Sequence, residues 1–320
     1  MAMGPGREFD IIRAMRDQWG SLARGLGDDA AVLVLPVGEQ LVVSTDTSVE
    51  GIHFRREWLS ASEIGYRAAA AALSDLAAMA AHPVGMLIAL TLPEQWRAAV
   101  DGLAAGLGEV AQGTGVPIVG GNISAGGELS ITTTVLGHAE HPVSRRGACR
   151  GDAIFVTGRF GGPATALRDL AGTRTPAAAH MTRLARPAPR IVESHWLAAQ
   201  GTSAMIDVSD GLAADLGHLA AASGVRIVFD VDSVPRLADV DPIVAATGGD
   251  EYELALTAPR TLDGAEFERE FLIPLTRIGR VVDGLPGVEA RRGMRIGGDG
   301  SDDGDGERVD LPAGHDHLSR

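Results

Sequence analysis

The 320-residue sequence contains no lysine; all 28 of its basic residues are arginine. That absence excludes a lysine Schiff base, a catalytic lysine base and the lysine of a Walker-type phosphate loop. Cysteine occurs once, at Cys149, so no internal disulfide can form and a metal centre built from several thiolates is ruled out. Positive charge is also short. The 28 basic residues face 42 acidic ones, a net charge of −14, which argues against nucleic acid or an anionic membrane surface as partner, because both demand clustered cations. Long apolar runs are missing as well: the most apolar stretch, 68–92, is interrupted by Asp75, His82 and Pro83, and a membrane span would have to bury that carboxylate. The opening Met1-Ala-Met-Gly-Pro-Gly6 has no charged segment followed by an apolar one, so no signal peptide is expected and a cytoplasmic location is.

What is present is a chain that is 45% hydrophobic and rich in alanine and glycine, long enough for two domains. A polar stretch rich in arginine and glycine, 137–151, marks the expected boundary, giving domains 1–147 and 148–320. In the first, apolar spacing predicts a helix over 8–19, a strand over 30–35 and, past a turn, a strand over 41–45 that ends in Asp46 and Thr47. Ser60 and Glu63 have the spacing of a capping box and open a helix reaching about Ala81. Arg67 and Asp75 are the charges on that helix from residue 64 on, so it is expected to be buried nearly all round. A strand over 84–92, a helix over 94–112, a strand over 116–119 stopping at Gly120-Gly121-Asn122 and a strand over 129–136 complete this half. The second half predicts strands at 153–157, 204–208, 226–230 and 253–257, with helices after Gly162, after the linker holding Pro187 and Pro189, and up to Gly224. Strands and helices interleave, so the expected fold class is α+β, a mixed arrangement in two domains.

Acids recur where apolar strands end or a buried helix runs: Asp28, Asp29, Asp46, Asp75, Asp207, Asp210, Asp250 and Glu251. Each alone suits a turn or a helix cap. Gathered, they would repel one another unless hard cations sat among them, and oxygen ligands suit Mg²⁺. Gly-rich turns at 120–122, 158–162 and 248–250 could bring backbone N–H groups close to phosphate oxygens. Neither Ser44 nor Ser209 lies in a G-x-S-x-G elbow, so serine hydrolysis is not expected. His315-Asp-His317 reads as surface or packing, and 299–310, which matches a calcium loop only in part, as an exposed acidic hairpin.

Six motifs occur in order: Gly27-Asp-Asp-Ala-Ala-Val32, Ser44-Thr-Asp-Thr47, Gly51-Ile-His-Phe54, Leu73-Ser-Asp-Leu-Ala-Ala-Met79, Ile206-Asp-Val-Ser-Asp-Gly-Leu212 and Gly249-Asp-Glu-Tyr-Glu-Leu254. Together they resemble the thiamine-monophosphate kinases, in the superfamily that also contains aminoimidazole ribonucleotide synthetase. The resemblance implies transfer of the γ-phosphoryl group of ATP, with Mg²⁺, onto the phosphate of thiamine monophosphate. It implies metal ligands at Asp29, Ser44, Thr45, Asp46, Asp75, Asp207 and Asp210, with Asp46, Asp75 and Asp210 central to catalysis. It further implies ATP contacts at Gly121, Asn122, Arg145 and Ser209, and acceptor contacts at His53, Asp250 and His315. A homodimer whose N-terminal sheets pair is implied too. The chain departs from the family's usual pattern at Asn122, where an aspartate is usual, at the inverted Asp250-Glu251, and around His315, where an aromatic residue is lost. The alternatives are a ligase or cyclising enzyme that uses the same ATP site on another acceptor, and a non-catalytic nucleotide-binding protein.

Overall fold

A computed structural model describes residues 7–24, 30–296 and 306–312. The chain divides into two compact units, one formed by Met1–Leu76 with Ala81–Pro142 and the other by Ala77–Ala80 with Val143–Arg320. The polar stretch 137–151 spans the point where the first unit closes.

The first unit holds α1 (Arg7–Trp19), β1 (Gln40–Val49), α2 (Ala61–Ala78), β2 (His82–Leu92), α3 (Val100–Thr114), β3 (Ile118–Ala125) and β4 (Ser130–Ala139). The strands form one sheet in the order β1-β4-β2-β3, antiparallel except for the parallel β2/β3 pair. Burial alternates residue by residue along β4, the signature of a sheet with one face on a core. The capping box forms as expected: the Ser60 N–H donates to Glu63 Oε2 at 2.8 Å and the Glu63 N–H to Ser60 Oγ at 3.3 Å. Helices α2 and α3 meet backbone to backbone, because a Cβ on Gly106 would lie 1.9 Å from the carbonyl oxygen of Ser62.

Three expectations are corrected here. Residues 31–36 pair with no described strand, and Val32 and Val34 are 90% and 89% exposed. An apolar run becomes a strand only where a partner edge pairs with it. Strand β1 does not end at Thr45 but runs to Val49, because β4 offers a full ladder with Asp46 opposite Thr133 and Thr47 opposite Thr132. Gly120-Gly121-Asn122 is not a turn: it lies inside β3, in register with Leu87, Ile88 and Ala89. Glycine is needed at 121 because a Cβ there would sit 1.9 Å from the Ile88 carbonyl oxygen.

The second unit contains β5 (Ala153–Thr157), α4 (Gly162–Ala171), α5 (Ala178–Ala185), α6 (Ile191–Ala199), β6 (Ala204–Asp207), α7 (Leu212–Ser223), β7 (Arg226–Asp230), α8 (Pro242–Thr247), β8 (Leu254–Ala258), α9 (Gly264–Phe271), β9 (Leu275–Val282), β10 (Gly287–Arg292) and β11 (Glu307–Val309). Its sheet runs β11-β10-β7-β9-β5-β8-β6, with β10/β7 as the parallel pair. Leu212, Leu216 and Leu219, at helical spacing on α7, join Ile154, Ile206, Ile227 and Phe229 in the core. The mixed α+β class is therefore as expected. Of the acidic stretch 299–310, the part described is β11, paired antiparallel to β10; 299–305 lie outside the described residues. No described helix is long and apolar enough to cross a membrane.

Candidate active site

In the first unit, strand alternation puts Ser44 and Asp46 on one face of β1. Helix α2 brings Asp75 to the same place: the Ser44 hydroxyl donates to Asp75 Oδ2 at 2.5 Å. Asp75 is thus half-buried and hydrogen-bonded on a helix whose other faces are packed against protein. Thr45 points to the opposite face, where its hydroxyl pairs with that of Thr134 at 2.9 Å, so the structure does not bring this side chain to Ser44 and Asp75. His53 follows in the turn after β1, and its Nδ1 accepts the Val49 N–H at 3.0 Å. An imidazole nitrogen that accepts carries no proton, so in the neutral ring the proton sits on Nε2. Gly121 and Asn122 are exposed and, with Ile12, Met15, Trp19, Ile88 and Leu90, line a cavity of about 50 Å³. Asp28 and Asp29 lie outside the described residues.

In the second unit, β6 ends at buried Asp207, and a short turn, 208–211, leads into α7. That turn is held from below by Asp215, whose Oδ2 accepts the N–H groups of Ser209 and Asp210, both at 3.1 Å. Ligand atoms of Asp210, Asp215 and His218 lie within 4.8 Å of one another. Burial pushes the Asp215 carboxyl up to about 8; the charges of Asp207 and Asp210 add to the rise and the two N–H donors oppose it. The oxygen-rich donor set of Asp210 and Asp215, with His218 beside it, fits a hard divalent cation. Arg145 is exposed, with its carbonyl accepting from Ser223 Oγ at 2.8 Å. His315 and His317 lie outside the described residues.

The loop 248–253 runs alongside the acidic turn. The Asp250 N–H donates to the Ser209 carbonyl and the Tyr252 N–H to the Val208 carbonyl, both at 2.8 Å, so the structure makes Asp250 and Ser209 neighbours. Beneath this loop is a charged group that sequence reasoning missed. Glu253 is 1% exposed; its Oε2 accepts from Arg190 Nε at 2.8 Å and the Thr157 hydroxyl at 2.7 Å, and its Oε1 accepts from Arg190 Nη2 at 2.5 Å with Arg183 Nη2 2.8 Å away. Burial works against this charge, yet the two guanidinium groups and the hydrogen bonds outweigh it and hold the Glu253 pKa below the usual carboxylate range. Glu251 is fully buried beside it, its Oε1 accepting the Gly161 N–H at 2.5 Å. Burial pushes the Glu251 carboxyl up to about 8, against the pull of Arg183 and that N–H. Asp215 did carry a sequence signal: an acid three residues after Leu212, on the apolar stripe of α7. No comparable signal joins Arg183 and Arg190 to Glu253, because their partnership is made by tertiary packing.

Both units have the fold of the AIR synthase related proteins: residues 27–139 match the N-terminal domain of that family and residues 150–289 its C-terminal domain. Thiamine-monophosphate kinase of Salmonella typhimurium is 35% identical over 308 residues, covering 91% of this chain and 93% of the relative. Thiamine-monophosphate kinase of Stenotrophomonas maltophilia superimposes with a TM-score of 0.79 at 36% identity, covering 91% of this chain and 97% of the other. AaThiL complexed with AMPPCP and TMP superimposes with a TM-score of 0.73 at 29% identity, over 96% of each chain. The chain belongs to the thiamine-monophosphate kinase family.

Proposed function

We propose that the protein transfers the γ-phosphoryl group of ATP to the phosphate of thiamine monophosphate, yielding thiamine diphosphate and ADP. The observation that carries the reading is the acidic turn of the second unit, where ligand atoms of Asp210, Asp215 and His218 lie within 4.8 Å of one another just after buried Asp207. Such a turn suits the cations that accompany a polyphosphate. An acceptor oxygen is already a nucleophile, so the work left to the chain is positioning and charge neutralisation, and no side-chain nucleophile is needed.

In this reading Asp46 and Asp75 of the first unit and Asp207 and Asp210 of the second would hold Mg²⁺ ions, with Asp29, Ser44 and Thr45 as further ligands, and the ions would neutralise charge on the phosphates. Ser44 holds the Asp75 carboxylate in one orientation through its hydroxyl. The hydroxyl of Thr45 is engaged with Thr134, so its carbonyl oxygen is the donor left to it. Gly121, Asn122, Arg145 and Ser209 contact ATP, Arg145 supplying the cation in a chain without lysine. His53 presents an Nε2 proton to an anionic oxygen of the acceptor, since its Nδ1 is committed to the Val49 N–H. Asp250 and His315 complete the acceptor contacts. Residues 1–147 would form the dimerising domain and 148–320 the domain that completes the nucleotide and acceptor contacts. A homodimer would cover Leu41 and Val43, exposed on β1, the edge strand of the described sheet, and could also cover exposed Val32 and Val34 before it. The cytoplasm, where ATP is made available, is the proposed location.

A ³¹P NMR time course with ATP, MgCl₂ and thiamine monophosphate, beside a control without acceptor, tests the reaction. Thiamine diphosphate is expected to appear in step with ADP; intact ATP over many hours would sink the proposal.

A further inference from the structure

The loop 248–253 is held in an unfavourable backbone conformation. Asp250 and Tyr252, neither of them glycine, have φ of +65° and +52°. Side-chain-bearing residues seldom adopt this region, and two within three positions persist only where the surroundings over-determine them. Between them lies Glu251, buried while its two neighbours are half-exposed.

Glu251 is fixed at both ends of its own structure. Its carboxylate accepts the Gly161 N–H, and its backbone carbonyl accepts from Arg183 Nη2 at 2.9 Å. The same Nη2 reaches Glu253, which is clamped in turn by Arg190. The loop is then tied to the acidic turn by the bonds from Asp250 to Ser209 and from Tyr252 to Val208, and the Tyr252 hydroxyl donates to Asp250 Oδ1 at 3.2 Å. Packing for stability alone does not account for the choice of residue. Glu251 Oε2 and Arg183 Nε are buried without hydrogen-bond partners, a cost that an apolar side chain of similar volume would avoid. What an apolar side chain lacks is an acceptor for Gly161.

We infer that Glu251 is a positioning residue: it pegs the left-handed Asp250-Glu251-Tyr252 segment to Gly161 and Arg183, and so sets where the Asp250 carboxylate stands toward the phosphate-bearing acceptor. The inference rests on the functional reading above for what Asp250 contacts, but its structural half stands apart from it. A peg that acts through Asp250 has no effect of its own once Asp250 is gone.

The test uses the full chain with E251A, E251Q, D250A and the E251A/D250A double variant. E251A is expected to raise KM for thiamine monophosphate about tenfold while KM for ATP stays within about twofold. E251Q keeps an acceptor for Gly161 and is expected to stay within about threefold of the parent. The double variant is expected to match D250A. Amide hydrogen exchange gives a readout besides activity: in E251A the Asp250 and Tyr252 amides lose protection while those of β5 and β7 keep theirs. Should E251A fail to fold, E251L fills the same space without an acceptor and carries the same expectations. Multiplying effects in the double variant, equal rises in both KM values, or unchanged protection of Asp250 and Tyr252 would each overturn the inference. Loss of thiamine-phosphate turnover in the parent would instead remove the functional reading, leaving the exchange measurement to decide on the peg.

Discussion

Replacing Arg190 by methionine isolates the worth of the buried charge network. The substitution keeps much of the side-chain volume, removes both hydrogen bonds from Arg190 to Glu253 and frees Glu193, which accepts from Arg190 Nη1 at 3.2 Å. Glu253, 1% exposed, keeps only Arg183 and Thr157. Removing one partner of a buried ion pair costs about 3–5 kcal/mol, because the remaining charge stays desolvated. At about 2–4 °C per kcal/mol for a unit of this size, the midpoint of the second unit's melting should fall by roughly 6–20 °C at neutral pH. The pH dependence has a definite sign. Glu253 is held below its free value of 4.5, so the stabilisation is complete above that pH and is lost as pH falls through the folded pKa. The R190M deficit should therefore be full at neutral pH and shrink in acid. Combining R190M with E253Q removes the orphaned charge and should recover about half of the loss. Differential scanning calorimetry across pH measures all of this. A midpoint within about 2 °C of the parent at neutral pH, or a deficit that grows in acid, would refute the electrostatic reasoning.

D75N is expected to abolish phosphoryl transfer with little change in far-ultraviolet circular dichroism, because Asp75 is proposed to hold a metal while α2 is held by its buried faces; near-parental turnover would remove that proposal. G106A, whose new methyl would meet the Ser62 backbone at 1.9 Å, should lower the urea midpoint of the first unit by the equivalent of about 1–3 kcal/mol or more. For Glu251 the linkage runs opposite to that of Glu253. Its folded pKa is raised from 4.5 to about 8, so the parent loses stability as pH rises between those values, and the melting advantage of E251Q over the parent should widen across that window and level off above it. L41E/V43E places two charges on the exposed face of β1; if the proposed homodimer uses that strand, the parent should sediment as a dimer and the variant as a monomer, whereas equal coefficients would exclude β1 from the interface.

The sequence was legible where the cause is local. The Ser60/Glu63 box, the strands β5 and β7 and the glycine stop after α7 are each determined by a few adjacent residues and were placed to within a residue or two. It was illegible where the cause is a distant partner. The apolar run at 30–35 reads as a strand, yet it pairs with no described strand. Asp46 reads as a strand end because its carboxylate looks like punctuation, although β4 carries the ladder past it. Short α5 and α8 went unseen between loop-like residues, as did β9 and β10, whose arginines break the apolar pattern that marks the central strands. At the site, the sequence pattern alone put Asp207 in a strand and Ser209 and Asp210 in the turn that follows it, and the contact between Ser44 and Asp75 joins two motifs the resemblance had already singled out. Thr45 shows the limit: a run of adjacent polar residues on a strand alternates between two faces, so the three cannot all turn their side chains the same way.

The glycine seam between α2 and α3 has a mechanical consequence for Asp75. Two helices separated by interlocking side chains can slide by a rotamer change, but here the carbonyl of Ser62 lies against the bare backbone of Gly106, and that of Leu103 against Gly65. There is no compressible layer at this joint. α2 is consequently stiffened from behind along the turns that precede Asp75, much as a blade is by its spine, and the carboxylate stands at the end of a lever with little play. A methyl group at Gly65 on α2, or at Gly106 on the facing α3, would then be felt at Asp75 as a displacement.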